Sequence, residues 1–253
     1  RGEGSVKIEN GKILLYNDYD IQVISRKKIE KEVIDELSTE ISGKLGYKGI
    51  SNFYPFNKGN QKMKENFNVD LKCDTIKEIG KLMPRIRTLD LRNYSRGLYG
   101  KDLRNLIPNY SMKEIPLSEG AKLLLDRMSQ LAEYYSIEGK HDKEFLTYII
   151  QQAYAACCTS LLLLTGKYQI GYEKSMNIFK KTFEKDFPEL HKEIPDLREK
   201  IEKFISWRIN PEKKEIKNIE REWFVARKNI LLVARYFFSR FLNKKISNLS
   251  ELS

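Results

Sequence analysis

The chain has 253 residues, of which 41% are hydrophobic and 32% charged, a balance typical of folded proteins rather than disordered ones. This length accommodates one large domain or two modest domains with separate cores. Three cysteines are too few for a disulfide framework. The presence of only two histidines argues against zinc hydrolases and histidine-based ribonucleases. The net charge of +11 suits an anionic partner such as a nucleoside triphosphate, RNA or an acidic surface. The alternative is that the positive net charge comes only from a lysine-rich surface in contact with solvent.

The sequence predicts a cytoplasmic protein without a membrane span. Residues 1–4 are polar and glycine-rich, unlike a secretory signal. The longest apolar run, residues 161–164 with small neighbours at 155–158, is too short to cross a membrane and predicts a buried helix. We interpret the adjacent Cys157 and Cys158 within it as core residues rather than as a redox pair.

The first part of the chain alternates between apolar and polar residues, as strands do. The pattern predicts a hairpin around Asn10-Gly11 and a strand over residues 19–24. Helical spacing follows over residues 27–44. Further along, we expect a short strand near residues 50–53, a strand over 67–73 and a short helix over 75–82 that Pro84 ends. A last strand is expected at 98–100, after which the chain leaves the domain at residues 106–108.

After Pro108 and Pro116 the alternation stops and helical spacing continues to the end of the sequence. The predicted helices span residues 118–137, 142–165, 170–186, 192–206 and 215–243. We therefore predict an α+β protein with a mixed sheet and flanking helices in a domain of residues 1–110, followed by an all-helical bundle of residues 117–253. No strand is expected after Pro116, and the residues expected in the core are Ile149, Ala153, Ala156 and Leu163.

The most informative segment is Asp18-Tyr19-Asp20. Residues two apart on a strand point to the same face, so Asp18 and Asp20 are expected to project together. Two ionised carboxylates side by side repel each other unless a cation lies between them. Their hard oxygen ligands favour Mg²⁺ or Mn²⁺. The alternative is a solvated strand edge that happens to carry acidic residues.

Two other segments strengthen the metal-site interpretation. Asp70 is the single acidic residue in the alternating strand 67–73, and a neighbouring strand would bring it beside Asp18 and Asp20. Asp74 is a rival for this third position, although its place before a helix favours an N-cap. The glycine-rich start of the sequence, from Arg1 to Ser5, is suited to placing backbone N–H groups on a phosphate.

These pieces resemble the minimal and aminoglycoside nucleotidyltransferases of the polymerase-beta-like superfamily. Members of that family have a Gly-Ser turn, an Arg-Gly spacer, Asp-x-Asp on one strand and a third aspartate on a later one. Arg1-Gly2, Asp18-Tyr19-Asp20 and Asp70 match these pieces in order. The run Leu98-Tyr99-Gly100 also resembles the end of the family's catalytic domain. The likeness covers residues 1–107, and beyond them it extends to the helical architecture alone.

The resemblance implies a magnesium-dependent nucleotidyltransferase. Asp18, Asp20 and Asp70 would be both catalytic and metal-binding, holding two Mg²⁺ ions, with Mn²⁺ as a substitute. Arg1, Gly2 and Ser5 would contact the nucleoside triphosphate, expected to be ATP. AMP would pass to a hydroxyl of an acceptor, and pyrophosphate would leave. Acceptors in similar proteins are tRNA ends, protein side chains and small antibiotics, and the basic balance favours tRNA.

This sequence departs from the family pattern at three places. The Gly-Ser pair expected before Arg1 is not in the sequence, Asn17 replaces the serine that usually precedes the first aspartate, and a hairpin around Asn10-Gly11 separates the turn from the aspartates. The alternative function is therefore a non-catalytic nucleotide- or RNA-binding module that keeps the fold.

Two features of the helical half also have alternative interpretations. The last predicted helix interleaves basic residues with aromatic ones, which suits RNA binding, but an amphipathic helix with a buried aromatic face is the commoner cause. The turn Gly166-Lys167-Tyr168 either places Tyr168 at an acceptor cleft or simply ends a helix.

Overall fold

The chain divides into two units, Arg1–Tyr110 and Ser111–Ser253. The computed structural model describes residues 6–9, 12–15, 19–45, 69–133, 143–210 and 216–252. Within these residues every strand lies in the first unit, and the second unit is helical, so the protein is α+β. The division falls within residues 108–117, the stretch in which the sequence loses its alternation.

The described strands of the first unit form two pairs. Strands β1 (Val6–Glu9) and β2 (Lys12–Leu15) are antiparallel, which confirms the predicted hairpin. Strands β3 (Tyr19–Ser25) and β4 (Val69–Thr75) are parallel. These are two separate two-stranded sheets, so the single mixed sheet that we predicted is not seen in the described part of the chain. The strand expected near residues 50–53 lies outside the described residues.

Helix α1 (Lys31–Lys44) lies between the two parallel strands in sequence and packs on β4. The hydroxyl of Ser42 accepts a hydrogen bond of 2.9 Å from the backbone N–H of Val69, and the hydroxyl of Ser38 donates to the carbonyl of the same residue. Ser42 is fully buried. Because both backbone groups of Val69 are satisfied by α1, the helix fixes the position at which β4 begins.

The short helix α2 (Ile76–Ile79) follows β4 directly and is capped by Thr75, not by Asp74 as we predicted. The Thr75 hydroxyl accepts from the N–H of Glu78 at 3.3 Å, and the Glu78 carboxylate accepts from the N–H of Thr75 at 2.7 Å. This reciprocal pair is a capping box. Asp74 is still in β4, one residue too early to cap the helix.

The predicted strand at residues 98–100 is wrong. That segment has no regular structure, and its side chains Leu98 and Tyr99 are exposed to solvent. The preceding residues form a helix that the sequence did not predict, α3 (Ile86–Tyr94). Arg92 on α3 donates to the carbonyls of Arg104, Asn105 and Ile107, which holds the following loop against the helix.

The second unit is a helical bundle. Its helices are α4 (Leu117–Glu133), α5 (Lys143–Leu164), α6 (Tyr172–Asp186), α7 (Pro188–Glu193), α8 (Leu197–Ile209) and α9 (Ile219–Phe241). No strand occurs among the described residues after Pro116, and Ile149, Ala153, Ala156 and Leu163 are buried, which confirms both predictions. The predicted helix 192–206 is in fact two helices, because Pro188 starts α7 and Pro195 separates it from α8.

Helix α5 is the centre of this bundle and packs against α4, α6, α8 and α9. Contrary to our expectation that no segment is long enough, residues Phe145–Leu164 are apolar and long enough to cross a membrane, the single such segment among the described residues. However, 78% of this segment is buried inside the protein. Packing in the core therefore accounts for its composition, as the sequence predicted. Cys157 and Cys158 lie within it and are buried.

Ion pairs join the surfaces of the helices around α5. They connect α6 to α8 (Lys180–Glu202 and Glu184–Arg198), α8 to α9 (Lys200–Glu222) and α7 to α9 (Glu193–Arg235 and Glu189–Arg240). Of these, the Lys200–Glu222 pair is the least exposed, with side chains 18% and 20% accessible. Many basic side chains of the bundle are thus engaged with acidic neighbours from another helix.

Candidate functional site

One face of the parallel pair β3 and β4 is polar. Asp20 on β3 lies directly opposite Asp70 on β4, and Gln22 lies opposite Lys72. Neighbouring strands are about 4.8 Å apart, and residues of equal parity share a face. The two aspartates are therefore adjacent, with Gln22 and Lys72 as the next pair along the same face.

The other face of the pair is apolar. Ile21 and Val23 on β3 lie opposite Leu71 and Cys73 on β4, and all four side chains are partly buried. This alternation explains why the aspartates project together, since the apolar residues must face the interior of the unit. A shift of one residue between the strands would move Asp70 to the apolar face.

Asp70 makes an ion pair within its own strand. The Lys72 ammonium nitrogen lies 2.8 Å from Oδ2 of Asp70, with side chains that are 41% and 22% accessible, respectively. The Asp20 side chain is exposed. The site therefore combines one solvent-facing carboxylate, one partly buried carboxylate and an ammonium group on the same face.

Gln22 ties the two strands and a helix together on this face. Its amide nitrogen donates to the carbonyl oxygen of Lys72 at 3.2 Å and to Oδ2 of Asp74 at 2.9 Å. Its amide oxygen accepts a hydrogen bond of 2.9 Å from Nη2 of Arg87 on α3. These side-chain bonds add to the backbone ladder and fix the register that sets Asp20 against Asp70.

Asp74 is too far along the strand to complete the pair. It stands four residues beyond Asp70, which is roughly 13 Å at the rise of an extended strand, and its carboxylate is bound by Gln22. Asp74 is therefore neither the helix cap nor a plausible ligand for an ion shared by Asp20 and Asp70.

The structure describes two of the three predicted metal ligands. Asp18 lies outside the described residues, as do Arg1, Gly2 and Ser5, the predicted phosphate contacts. Within the described part of the chain, no three histidine, cysteine, aspartate or glutamate side chains lie close enough to hold a metal ion. What the structure brings together is the pair Asp20 and Asp70.

Comparisons with protein-family models, with curated proteins and with solved structures give no match to this chain.

The basic and aromatic helix that we considered for RNA binding is α9. Its aromatic residues Trp223, Phe237 and Phe238 are buried, and Trp223 donates a hydrogen bond of 3.0 Å to the carbonyl of Leu131. Arg235 is paired with Glu193, Arg240 is paired with Glu189, and Arg227 lies over the ring of Trp223. The amphipathic-helix interpretation is confirmed for these three aromatic residues, whereas Phe224 and Phe241 are exposed.

The turn at Gly166 ends α5. Gly166 has φ of 65°, its N–H donates to the carbonyl of Leu163, and the N–H of Lys167 donates to the carbonyl of Leu162. These two bonds around a left-handed glycine form a Schellman motif. Tyr168 is 6% accessible within the second unit. The helix-end interpretation is therefore confirmed.

Sequence reasoning did not identify Lys72, Gln22, Arg87 or Ser42 as parts of the site. Lys72 had a visible signal, since it stands two residues after Asp70 and shares its face by the same parity that relates Asp18 to Asp20. Gln22 had that signal as well. Arg87 and Ser42 had none, because their contacts depend on how helices pack against the strands.

Proposed function

We propose that this chain is a magnesium-dependent nucleotidyltransferase that transfers a nucleoside monophosphate, expected to be AMP from ATP, to a hydroxyl group of an acceptor. The observation that carries the proposal is the register of β3 and β4, in which Asp20 lies opposite Asp70 on a polar face. The sequence adds Asp18, two positions before Asp20, as a third expected ligand. The resemblance of the sequence to polymerase-beta-like transferases is the reason for proposing nucleotidyl transfer as the reaction.

The chemistry of these side chains suits Mg²⁺ or Mn²⁺. Carboxylate oxygens are the ligands that both cations prefer, and there is no thiol or imidazole on this face of the described strands that would select zinc. Two carboxylates on neighbouring strands disfavour each other's charge unless a cation is close. Asp20 and Asp70 therefore have an electrostatic reason to bind a divalent cation.

The protein residues would have distinct roles in the transfer. A bound divalent cation would stabilise the charge of the triphosphate and lower the pKa of the acceptor hydroxyl. Asp20 would hold the cation on the side open to solvent. Asp70, the more buried of the two, would hold it on the acceptor side or accept the proton of the acceptor hydroxyl.

We further propose an anionic acceptor and a cytoplasmic location. The net charge of +11 favours tRNA over a cationic antibiotic, because it attracts a phosphate backbone. A protein side chain is the other acceptor to be tested, since it also offers a hydroxyl group.

The test is transfer of label from each α-³²P-labelled nucleoside triphosphate, with Mg²⁺, to tRNA, to candidate proteins and to small hydroxyl compounds. Labelled acceptor and released pyrophosphate should appear together, and Asp20→Asn or Asp70→Asn should abolish both. Asp35→Asn is the matched control, because this acid lies on α1 in the same unit and outside the polar face of β3 and β4. If the triphosphate binds but neither labelled acceptor nor pyrophosphate is formed, the chain is a nucleotide-binding module without catalytic activity.

A further inference from the structure

Lys72 places an ammonium group at the proposed metal site. Its ammonium nitrogen lies 2.8 Å from Oδ2 of Asp70, on the face that Asp70 shares with Asp20. At that distance the ammonium group uses a lone pair of the oxygen that would bind a divalent cation. Lys72 and the cation therefore compete for the same carboxylate.

The position of Lys72 is fixed by more than its own side chain. Its backbone carbonyl accepts a hydrogen bond from the Gln22 amide, and the same amide group accepts from Arg87. The ammonium group, in contrast, is carried by four methylene groups and is 41% accessible at the side-chain level. The backbone of Lys72 is thus held in place, while its charged end has room to turn away from Asp70.

We propose that Lys72 is an internal counter-ion of the acidic pair, which stabilises Asp70 when no divalent cation is bound and is displaced when the cation binds. This inference rests on the proposed function, since it assumes that the cation binds at Asp20 and Asp70. In this role Lys72 is a positioning residue, which would act on the cation through Asp70.

The competition has a measurable consequence for affinity. A divalent cation repels a nearby ammonium group about twice as strongly as a single positive charge does, and both bind the same carboxylate oxygen. Removing the ammonium charge should therefore tighten Mn²⁺ binding by at least about fivefold, even after screening by salt. Replacement by arginine keeps the charge and should leave the affinity within about twofold of the unmodified chain.

The test measures Mn²⁺ binding to the full chain by calorimetry, without nucleotide, and urea unfolding in the presence of a chelator. The variants are Lys72→Met, Lys72→Arg and Asp70→Asn. Lys44→Met is the matched control, since Lys44 forms an exposed ion pair with Glu40 in the same unit. We expect Lys72→Met to bind Mn²⁺ more tightly and to unfold at lower urea in chelator, whereas Lys44→Met should change the Mn²⁺ affinity little.

The outcomes separate this inference from the proposed function. If Mn²⁺ binds, and Asp70→Asn abolishes binding, but Lys72→Met has unchanged affinity, the counter-ion role is overturned and the transferase proposal stands. If neither the unmodified chain nor Lys72→Met binds Mn²⁺, both are overturned. If Lys72→Met alone binds Mn²⁺, the counter-ion role is supported, because the ammonium group is then what keeps the cation out.

Discussion

Ser160 on α5 donates a hydrogen bond of 2.9 Å to the carbonyl oxygen of Gly120 on α4. Both residues are buried, and the aromatic ring of Phe237 on α9 lies against the same glycine. Three helices of the second unit therefore meet at a residue without a side chain. This close approach is possible because glycine has no Cβ atom.

Replacing Gly120 by alanine is expected to destabilise the second unit. A Cβ atom at this position would lie 3.0 Å from two atoms of the Phe237 ring and 3.3 Å from Cα of Ser160. We expect a loss of roughly 1–3 kcal/mol, as for other overpacked cores. Scanning calorimetry of the full chain measures this as a lower Tm. Gly43→Ala on α1 is the control, because no atom lies within 4 Å of its added Cβ and alanine favours helices. An unchanged or higher Tm for Gly120→Ala would contradict the packing described here.

The pair Lys167–Asp186 is expected to make stability depend on pH. Burial raises the pKa of Asp186, but the hydrogen bonds from Lys167, at 2.6 and 2.8 Å, together with Thr182 and the charges of Lys167 and Lys185, hold the pKa below its ordinary value. A lowered pKa contributes stability that is fully present above the unfolded-state pKa of about 3.9 and is lost as the pH falls through the folded-state pKa.

Asp186→Asn should therefore cost roughly 1–2 kcal/mol at pH 7 and progressively less as the pH falls below about 3.9. Urea unfolding of both proteins from pH 7 to the acid limit gives the two curves. Asp126→Asn, which removes an exposed carboxylate of α4, is the control and should have little effect. A constant difference between unmodified chain and Asp186→Asn at all pH values would show that the charge of Asp186 is not what stabilises the fold.

Thiol reactivity should distinguish the three cysteines. Burial raises the pKa of Cys157 and Cys158, and both side chains are at most 1% accessible. Cys73 on β4 is only partly buried. Because the thiolate is the reactive form, a disulfide reagent at pH 8 should label Cys73 first and the other two after unfolding. Cys73→Ser should remove the fast phase. Rapid labelling of Cys157 in the native chain would contradict its place in the core.

Binding of labelled tRNA tests the proposed acceptor class. If the chain binds through phosphate contacts, its affinity should fall steeply, by tenfold or more, between about 50 and 200 mM salt. Arg235→Met is expected to change this dependence little, since the charge of Arg235 is already paired with Glu193. No binding at low salt would exclude tRNA as the acceptor, and a cationic aminoglycoside that bound instead would point to a different substrate.

The elements that the sequence predicted well are those with a strong local pattern. The alternation in residues 19–24 and 67–73 predicted two strands, and the helical spacing after residue 117 predicted most of the second unit. The helix α3 was missed because only Thr88 and Leu89 are buried on it, so it lacks an apolar stripe. Thr75 was missed as a cap because Asp74 is an equally good capping residue one position earlier.

The site was predictable in part for the same reason. Parity relates Asp20 to Gln22 and Asp70 to Lys72 within each strand, but nothing in one strand fixes which residue of the other lies opposite. That register depends on tertiary contacts, such as the hydrogen bonds of Ser42 to Val69 and of Gln22 to Asp74. These contacts are invisible to any pattern read along a single segment.

The partners in β3 and β4 are fifty positions apart in the sequence, and this separation bears on the order in which the first unit folds. A hairpin such as β1–β2 or a single helix forms from neighbouring residues, whereas a parallel pair must wait until a long loop has closed. Asp20 and Asp70 should therefore come together late in folding. By the same reasoning, a local opening that releases β4 would separate the acidic pair while the hairpin stays intact, so the ability to bind a cation would be lost before the hairpin is.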